Sequence, residues 1–390
     1  MIYVGIDVSK DKHDCYITNQ YGEVIKSPFI VENNLKGFNE LYKKIKTSTK
    51  KLSSVKVGLE ATGHYSFNIQ NYLLSKNLKV YVLNPLHTNQ FRKAQSLRKT
   101  KTDKIDSKSI TNMLILNNNL KPYSIESRNY EDLKSLSRYR FNKVKYRAKL
   151  KTSVARLVNI LFPEIESIVS TLHLSSILAL LYEFPGASYV SNANLTNLSN
   201  FLYKASKGRF NKDFCIKLRN LAKNSIGSIM YTKSLELKHT IKDIMSLNDE
   251  IDEIDMKLKI MIDDIKSPIM SIPGISYSMA SLILGEIGDI NKFDNPDKLL
   301  AFSGMSPSTY QSGQIDNCYP KMEKRGSTYL RYALFNATIY VCNWDDNFKS
   351  YLLKKRQEGK HYYIAISHAT KKLVRVIYHL MKNNEQYISK

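Results

Sequence analysis

The apolar positions of the first hundred or so residues alternate between strand and helix periods. Ile2 to Val8 (IYVGIDV) is a nearly unbroken apolar run of strand length. HDCYITN and EVIKSPFIV follow it, separated by the turn residues Asn19 to Gly22, and the three together predict a meander. From Asn34 to Thr47 the apolar residues Leu35, Phe38, Leu41, Tyr42 and Ile45 recur at helical spacing. Val55 to Leu59 reads as a fourth strand ending at Glu60, Tyr65 to Ser75 as a helix, and Val80 to Leu83 as a fifth strand stopped by Asn84-Pro85. A basic stretch then leads into a helix from Thr102 to Leu116. Three strands, helix, strand, helix, strand, helix is the order of an RNase H-like α/β domain, here residues 1–125.

Residues 126–266 read as almost wholly helical. Arg138 to Arg156 carries eight basic residues and no acid, interleaved with Tyr139, Phe141 and Tyr146. Such a helix suits a phosphate backbone, with Arg138, Arg140, Lys143, Lys145 and Arg147 as the contacts; a solvated helix surface is the plainer alternative. From Leu237 to Ile265 apolar residues alternate at three and four, the spacing of a coiled-coil seam. Asp249, Glu250, Asp252, Glu253 and Asp255 are assigned to its outer face. The seam can pair with a second subunit or fold back on the helix near 133–161; pairing with another protein is the favoured reading. Pro268 opens a third region, 267–390, with a helical tail. The fold class is therefore α/β plus α.

Charge changes the picture more than composition does. Lys and Arg outnumber Asp and Glu 59 to 35, a formal charge of +24 over 390 residues. Such an excess repels itself, and a polyanion relieves it, which points to nucleic acid. Cys15, Cys215, Cys318 and Cys342 lie far apart with no CxxC pair, so neither a zinc site nor a disulfide framework is expected. The opening MIYVGIDVSK reads as a strand rather than a signal peptide, and a reducing cytoplasm fits.

Four acids sit where chemistry can use them. Asp7 ends the first strand and Glu60 the fourth, and in an RNase H-like sheet those strands are neighbours. Asp103 and Asp106 are three apart on one helix, about 60° apart around its axis. They lie within KTDKIDSK, among Lys101, Lys104 and Lys108. Acids can hold metal there while lysines meet phosphate. Phosphodiester cleavage develops charge on the attacking and leaving oxygens, which two Mg²⁺ ions about 4 Å apart stabilise. Mg²⁺ prefers carboxylate oxygen. Each acid has a structural alternative: a strand-end cap for Asp7, first-turn helix charges for Glu60 and Asp103, plain surface for Asp106. Asp106 has no Lys or Arg three or four residues away, so a helical salt bridge does not account for it.

GIDVSKDKHD, GLEATGHY and KTDKIDSKS resemble the three acidic motifs of the DEDD transposases of bridge-RNA-guided insertion sequences, the IS-one-ten family, which includes the Piv DNA invertase. SIPGISYSMASLILGEIGDINKFDNPDKLLAFSGMSPSTYQSG and KMEKRGSTYLRYAL resemble that family's second domain. The middle is longer than the resemblance leads one to expect, and 184–232 matches no motif. The resemblance implies a RuvC-like first domain and metal ligation by Asp7, Glu60, Asp103 and Asp106. It also implies a serine nucleophile in the QSG context, here Ser312, with Ser306, Ser308 and Thr309 as nearby competitors. Lys324, Arg325 and Arg331 would then contact phosphate. Further implied are a non-coding bridge RNA, a homo-oligomer (dimer or tetramer) on DNA, and a bacterial cytoplasmic, nucleoid-associated location. The rivals are a RuvC-type junction-resolving nuclease, a site-specific invertase, and a non-catalytic nucleic-acid scaffold. IPGIS followed by helical spacing also reads as a helix-turn-helix hairpin around Gly274, or as a turn between packed helices.

Overall fold

The computed structural model describes residues 1–390 except 61–62, 96–102, 118–119, 124, 308–310, 313–314, 317–321 and 390, and leaves undescribed the side chains of 86, 95, 103–105, 125–127, 311–312 and 315–316. The chain divides into two compact units, Met1–Arg128 and Asn129–Lys390.

The first unit is built on one five-stranded sheet. Its strands are β1 (Ile2–Val8), β2 (Lys12–Asn19), β3 (Val24–Glu32), β4 (Val55–Glu60) and β5 (Lys79–Leu83), in the spatial order β3-β2-β1-β4-β5. The first three are antiparallel, whereas β1, β4 and β5 are parallel. This is the RNase H-like, RuvC-like arrangement. Helices α1 (Leu35–Ser48) and α2 (Ser66–Ser75) cover one face, where Phe38, Leu41, Ile45, Ile69 and Leu73 meet Ile6, Ile17, Val57 and Leu59. Helix α4 (Asp103–Leu116) covers the other, with Ile110, Met113 and Leu114 against Tyr3, Tyr81 and Leu83. Coverage on both faces explains why β1 reads as continuous rather than alternating apolar sequence.

Between them lies α3 (Pro85–Gln95), where the apolar pattern indicates only a basic stretch. Its few apolar residues make no helical stripe. Asn84 followed by Pro85 is nonetheless a helix-start signal, since proline's fixed φ suits the first helical position.

Glycine sets how closely α4 approaches the sheet. A Cβ on Gly5 of β1 would stand 2.2 Å from the Ser107 carbonyl oxygen and from Thr111 Oγ1, and one on Gly58 of β4 would stand 2.6 Å from Leu114 Cδ1. Ser107 thus lies over Gly5, while Leu114 packs on Tyr3, so α4 runs antiparallel to β1. Its N-terminal turn therefore lies towards the carboxyl ends of β1 and β4.

The second unit is mostly helical: α5 (Ile125–Leu161, from its fifth residue), α6 (Ser175–Glu183), α7 (Ala187–Asn192), α8 (Leu195–Ala205), α9 (Lys212–Lys223), α10 (Tyr231–Ile265), α11 (Tyr277–Ile287), α12 (Pro296–Phe302), α13 (Thr328–Trp344), α14 (Asp346–Gln357) and α15 (Tyr362–Asn383). The short strands β6 (Gln311–Ser312) and β7 (Ile315–Asp316) pair as a hairpin. Cys15, Cys215 and Cys342 are free, buried thiols, and Cys318 lies outside the described residues.

The apolar seam of α10 is buried within the chain, which corrects the favoured reading of it as a surface for another protein. Leu237, Ile241, Ile244, Leu247, Ile251, Ile254, Leu258 and Ile262 are all at most 6% exposed. They pack with α5 residues Val154, Leu157 and Val158 at one end and Leu133 at the other. Ion pairs Arg140–Asp255, Lys143–Glu250 and Arg156–Glu236 show the two helices running in opposite directions. Glu250 and Asp255 consequently face α5 and not the outside.

Gly274 has φ of +90°, and a Cβ there would lie 2.8 Å from the Tyr340 backbone of α13. The IPGIS turn is a close helix packing point. The element before it is the single 3₁₀ turn Pro268–Ser271 and not the first α-helix of a helix-turn-helix.

Candidate active site

Asp7 and Glu60 end adjacent parallel strands. The register pairs Ile6 with Leu59, so Asp7 and Glu60 follow side by side at the carboxyl edge of the sheet. Strand alternation puts both on the α4 face, in line with Gly5 and Gly58. Asp106 immediately precedes Ser107, which lies over Gly5, and so it comes to the same edge. Glu60 and Asp106 line one cavity of about 240 Å³ with Pro85, Thr88, Asn89, Arg92 and Ser109. The structure thus brings together a strand end and a helix start that are far apart in sequence. Clefts at the carboxyl ends of strands are where open α/β sheets bind ligands.

Two further groups enter this edge that the sequence reading missed. Asp14 of β2 stands directly opposite Asp7 and is 5% exposed. It shares the α4 face with Asp7 and Glu60, and its signal is the acid inside HDCYITN, a strand of otherwise buried positions. Arg92 of α3 donates to Asp106 at 2.8 Å and to Asn89 at 2.9 Å. Asp106 therefore has a tertiary ion pair although its own helix supplies none. A guanidinium 14 residues back in sequence is invisible to helical spacing rules.

Asp103 opens α4, one turn before Asp106, with its side chain outside the described residues. Lys101 lies wholly outside them, as does the side chain of Lys104. Among the described residues no group of three or more His, Cys, Asp or Glu is arranged to hold a metal ion. The chemistry of the oxygen groups lining the cavity is of the kind a hard divalent cation prefers. They are carboxylate, amide and hydroxyl oxygens without thiol or imidazole, whereas Arg92, paired with Asp106, competes with a cation for that carboxylate.

In the second unit, Ser312 occupies β6 opposite Ile315, with its side chain undescribed. Ser308 and Thr309 lie outside the described residues, while Ser306 is half-buried and accepts at its carbonyl from Glu323 N. Lys324 and Arg325 are exposed, Lys324 with φ of +54°. Lys324, Thr328 and Arg331 line an open cavity of about 400 Å³ with Met322, Tyr332 and Ser367. Arg331 donates to the carbonyls of Ser303 and Lys324 at 3.4 and 3.3 Å, which orients its guanidinium.

This region is tied down by Glu286 of α11, a buried acid that sequence reasoning did not select. Its carboxylate accepts from Arg138 Nη2 at 2.9 Å and from Ser327 Oγ at 2.7 Å, and Ser327 caps α13. Arg138 also lies over the Tyr329 ring. Burial lowers the pKa of neighbouring Lys134, against the raising effect of Glu286. Glu286→Ala leaves Arg138 and Ser327 without their acceptor and should cost about 2 kcal/mol or more, read as a lower denaturation midpoint; an unchanged midpoint would refute this role.

The α5 cations are engaged in the same manner. Arg138 pairs with Glu286, Arg140 with Asp255 and Lys143 with Glu250, and Arg147 donates to Asn248 at 2.6 Å. Four of the run's eight cations, Arg138, Arg140, Lys143 and Arg156, are thus paired with acids of α10 or α11 within the chain, while Lys145 and Lys149 stay exposed.

Comparison with known proteins settles the class. A DEDD transposase family matches residues 4–163, and the transposase IS116/IS110/IS902 family matches residues 266–353. The two matches come in order, one spanning Asp7, Glu60, Asp103 and Asp106, the other Ser312. The chain belongs to the IS110, or IS-one-ten, family of transposases. It is a DNA transposase/recombinase. The pilin gene-inverting proteins of Moraxella lacunata and Moraxella bovis are each 23% identical over 393 aligned positions, covering 99% of this chain and 97% of theirs. An insertion element IS900 protein of Mycobacterium paratuberculosis is 23% identical over 149 residues, 37% of each chain. The Thermus thermophilus RuvC structure aligns with 32% of this chain and all of its own, at 10% identity and a TM-score of 0.24. No helix among the described residues is long and apolar enough to cross a membrane.

Proposed function

We propose that this transposase cleaves and rejoins DNA with a DEDD site of Asp7, Glu60, Asp103 and Asp106 and with Ser312 as nucleophile. The observation that carries the reading is the meeting of Glu60 and Asp106 at one cavity, with Glu60 ending the strand beside that of Asp7. The four carboxylates would hold Mg²⁺, two ions in this reading. When bound, the ions supply charge stabilisation to the attacking and leaving oxygens at phosphorus. The carboxylates orient that charge, and Arg92 neutralises Asp106 until then. Lys101, Lys104, Lys324, Arg325 and Arg331 hold phosphates near the reacting groups.

The covalent step conserves the phosphoester. Ser312 Oγ bonds to phosphorus as one phosphorus–sugar oxygen bond breaks; the serine gives up its proton and the departing sugar oxygen gains one. The ester keeps the energy of the broken linkage, so a different strand's hydroxyl can reverse the step and seal the DNA without ATP. Hydrolysis would discard that energy.

The reading extends to a non-coding bridge RNA, with base pairing selecting the sites and the protein holding backbone and shape. It further includes a homo-oligomer, dimer or tetramer, working in the bacterial cytoplasm at the nucleoid. Site-specific inversion is the second reading, favoured by the end-to-end alignment with the pilin gene-inverting proteins. The test is covalent trapping. With Mg²⁺ and DNA carrying the element's ends, supplied with the flanking non-coding RNA, the full chain should form an adduct stable to detergent, and chelation should prevent it. Free cleaved ends without an adduct would instead indicate a hydrolysing, RuvC-type nuclease.

A further inference from the structure

Residues 164–265 lie outside both family matches. Helices α6 to α9 within that segment build a stable platform: Leu180, Leu181, Val190, Leu198, Leu202, Cys215 and Leu218 are fully buried with neighbouring turns of α5 and α10. On this platform the turn from α8 to α9 reads KASKGRFNK, residues 204–212, with four cations, and one acid, Asp213, follows it in the first turn of α9. Lys204, Lys207, Arg209 and Lys212 are all exposed.

The turn is compact. Gly208 N donates to the Tyr203 carbonyl at 2.9 Å and Phe210 N to Ser206 Oγ at 2.9 Å, with Lys207 and Gly208 at φ of +54° and +84°. The four cations are therefore confined to one small surface. Asn211 caps α9 by accepting from Phe214 N, so the positive end of that helix dipole faces the same turn. Tyr203, 60% exposed, lies beside Gly208 and adds an aromatic face.

None of the four cations forms an ion pair among the described residues, in contrast to Arg138, Arg140, Lys143 and Arg156 of α5, which pair with acids of α10 and α11. Four like charges in one turn repel each other unless a polyanion covers them. We propose that the α8–α9 turn is a docking surface for the phosphate backbone of duplex DNA. It holds the backbone and reads no sequence. Only the DNA-acting class of the chain is assumed, not the DEDD site or Ser312.

The test measures binding alone, in chelator, on the full chain. The quadruple variant K204Q/K207Q/R209Q/K212Q should lower the slope of log affinity against log salt by up to about 3.6 units, four phosphate contacts at 0.9 each. A charge-keeping K204R/K207R/K212R variant should retain the wild-type slope and exclude a folding effect. An unchanged slope in the quadruple variant overturns the proposal, as does a loss confined to structured RNA. Adduct formation is scored separately, so failure of the serine chemistry cannot be mistaken for failure of this surface.

Discussion

Asp7→Asn should reduce strand cleavage by about a hundredfold to a thousandfold, the scale on which loss of one group that preorganises charge stabilisation at a developing oxyanion is felt. The substitution keeps size and shape and removes one charge at the carboxyl edge of β1. Asp7 stands beside the Glu60 strand end and opposite Asp14, so the asparagine also relieves like-charge opposition. The folded state should not suffer, and the melting temperature should stay at or above that of wild type. Cleavage of labelled element ends across a range of Mg²⁺ concentrations makes the measurement. A near-normal rate for the variant would remove Asp7 from the chemistry and with it the four-carboxylate reading.

Ser312→Ala should eliminate the covalent adduct altogether while DNA affinity stays within about twofold of wild type. The expected loss is complete because no other atom of residue 312 can replace the Oγ–phosphorus bond. A gel-stable band from radiolabelled DNA is the readout, with affinity measured by anisotropy on the same preparation. Persistence of the band would transfer the role to a neighbouring hydroxyl, Ser306 being the described candidate. Together the two variants separate the halves of the reaction: Asp7→Asn loses cleavage through lost charge, Ser312→Ala through lost nucleophile.

Periodicity alone determined much of the first unit. The predicted strands 2–8, 55–60 and 80–83 and the helix ending at Leu116 stand where the pattern put them, to within a residue or two. Burial imposes that pattern locally, so it can be read locally. The placement of Asp7 and Glu60 on neighbouring strands also followed from element order, because a parallel pair with a helical crossover has few alternatives. The helix α3 escaped because its short, polar run shows no apolar stripe, and with it Arg92 was missed.

What only the tertiary structure decided are the partners. Arg138, Arg140, Lys143 and Arg156 of α5 look like part of an open basic face in sequence, since their counter-charges lie more than 75 residues away on α10 and α11. The α10 seam shows an apolar stripe with no indication of what covers it, and the fold-back onto α5 answered that. Asp106 gained Arg92, and Glu286 gained Arg138 and Ser327, in the same way. A side chain's character is written at its own position, and its neighbours across the fold depend on how every element packs. The sequence therefore determined which residues can carry charge, metal or a nucleophile, while the packing decided which charges are neutralised and which are left facing solvent.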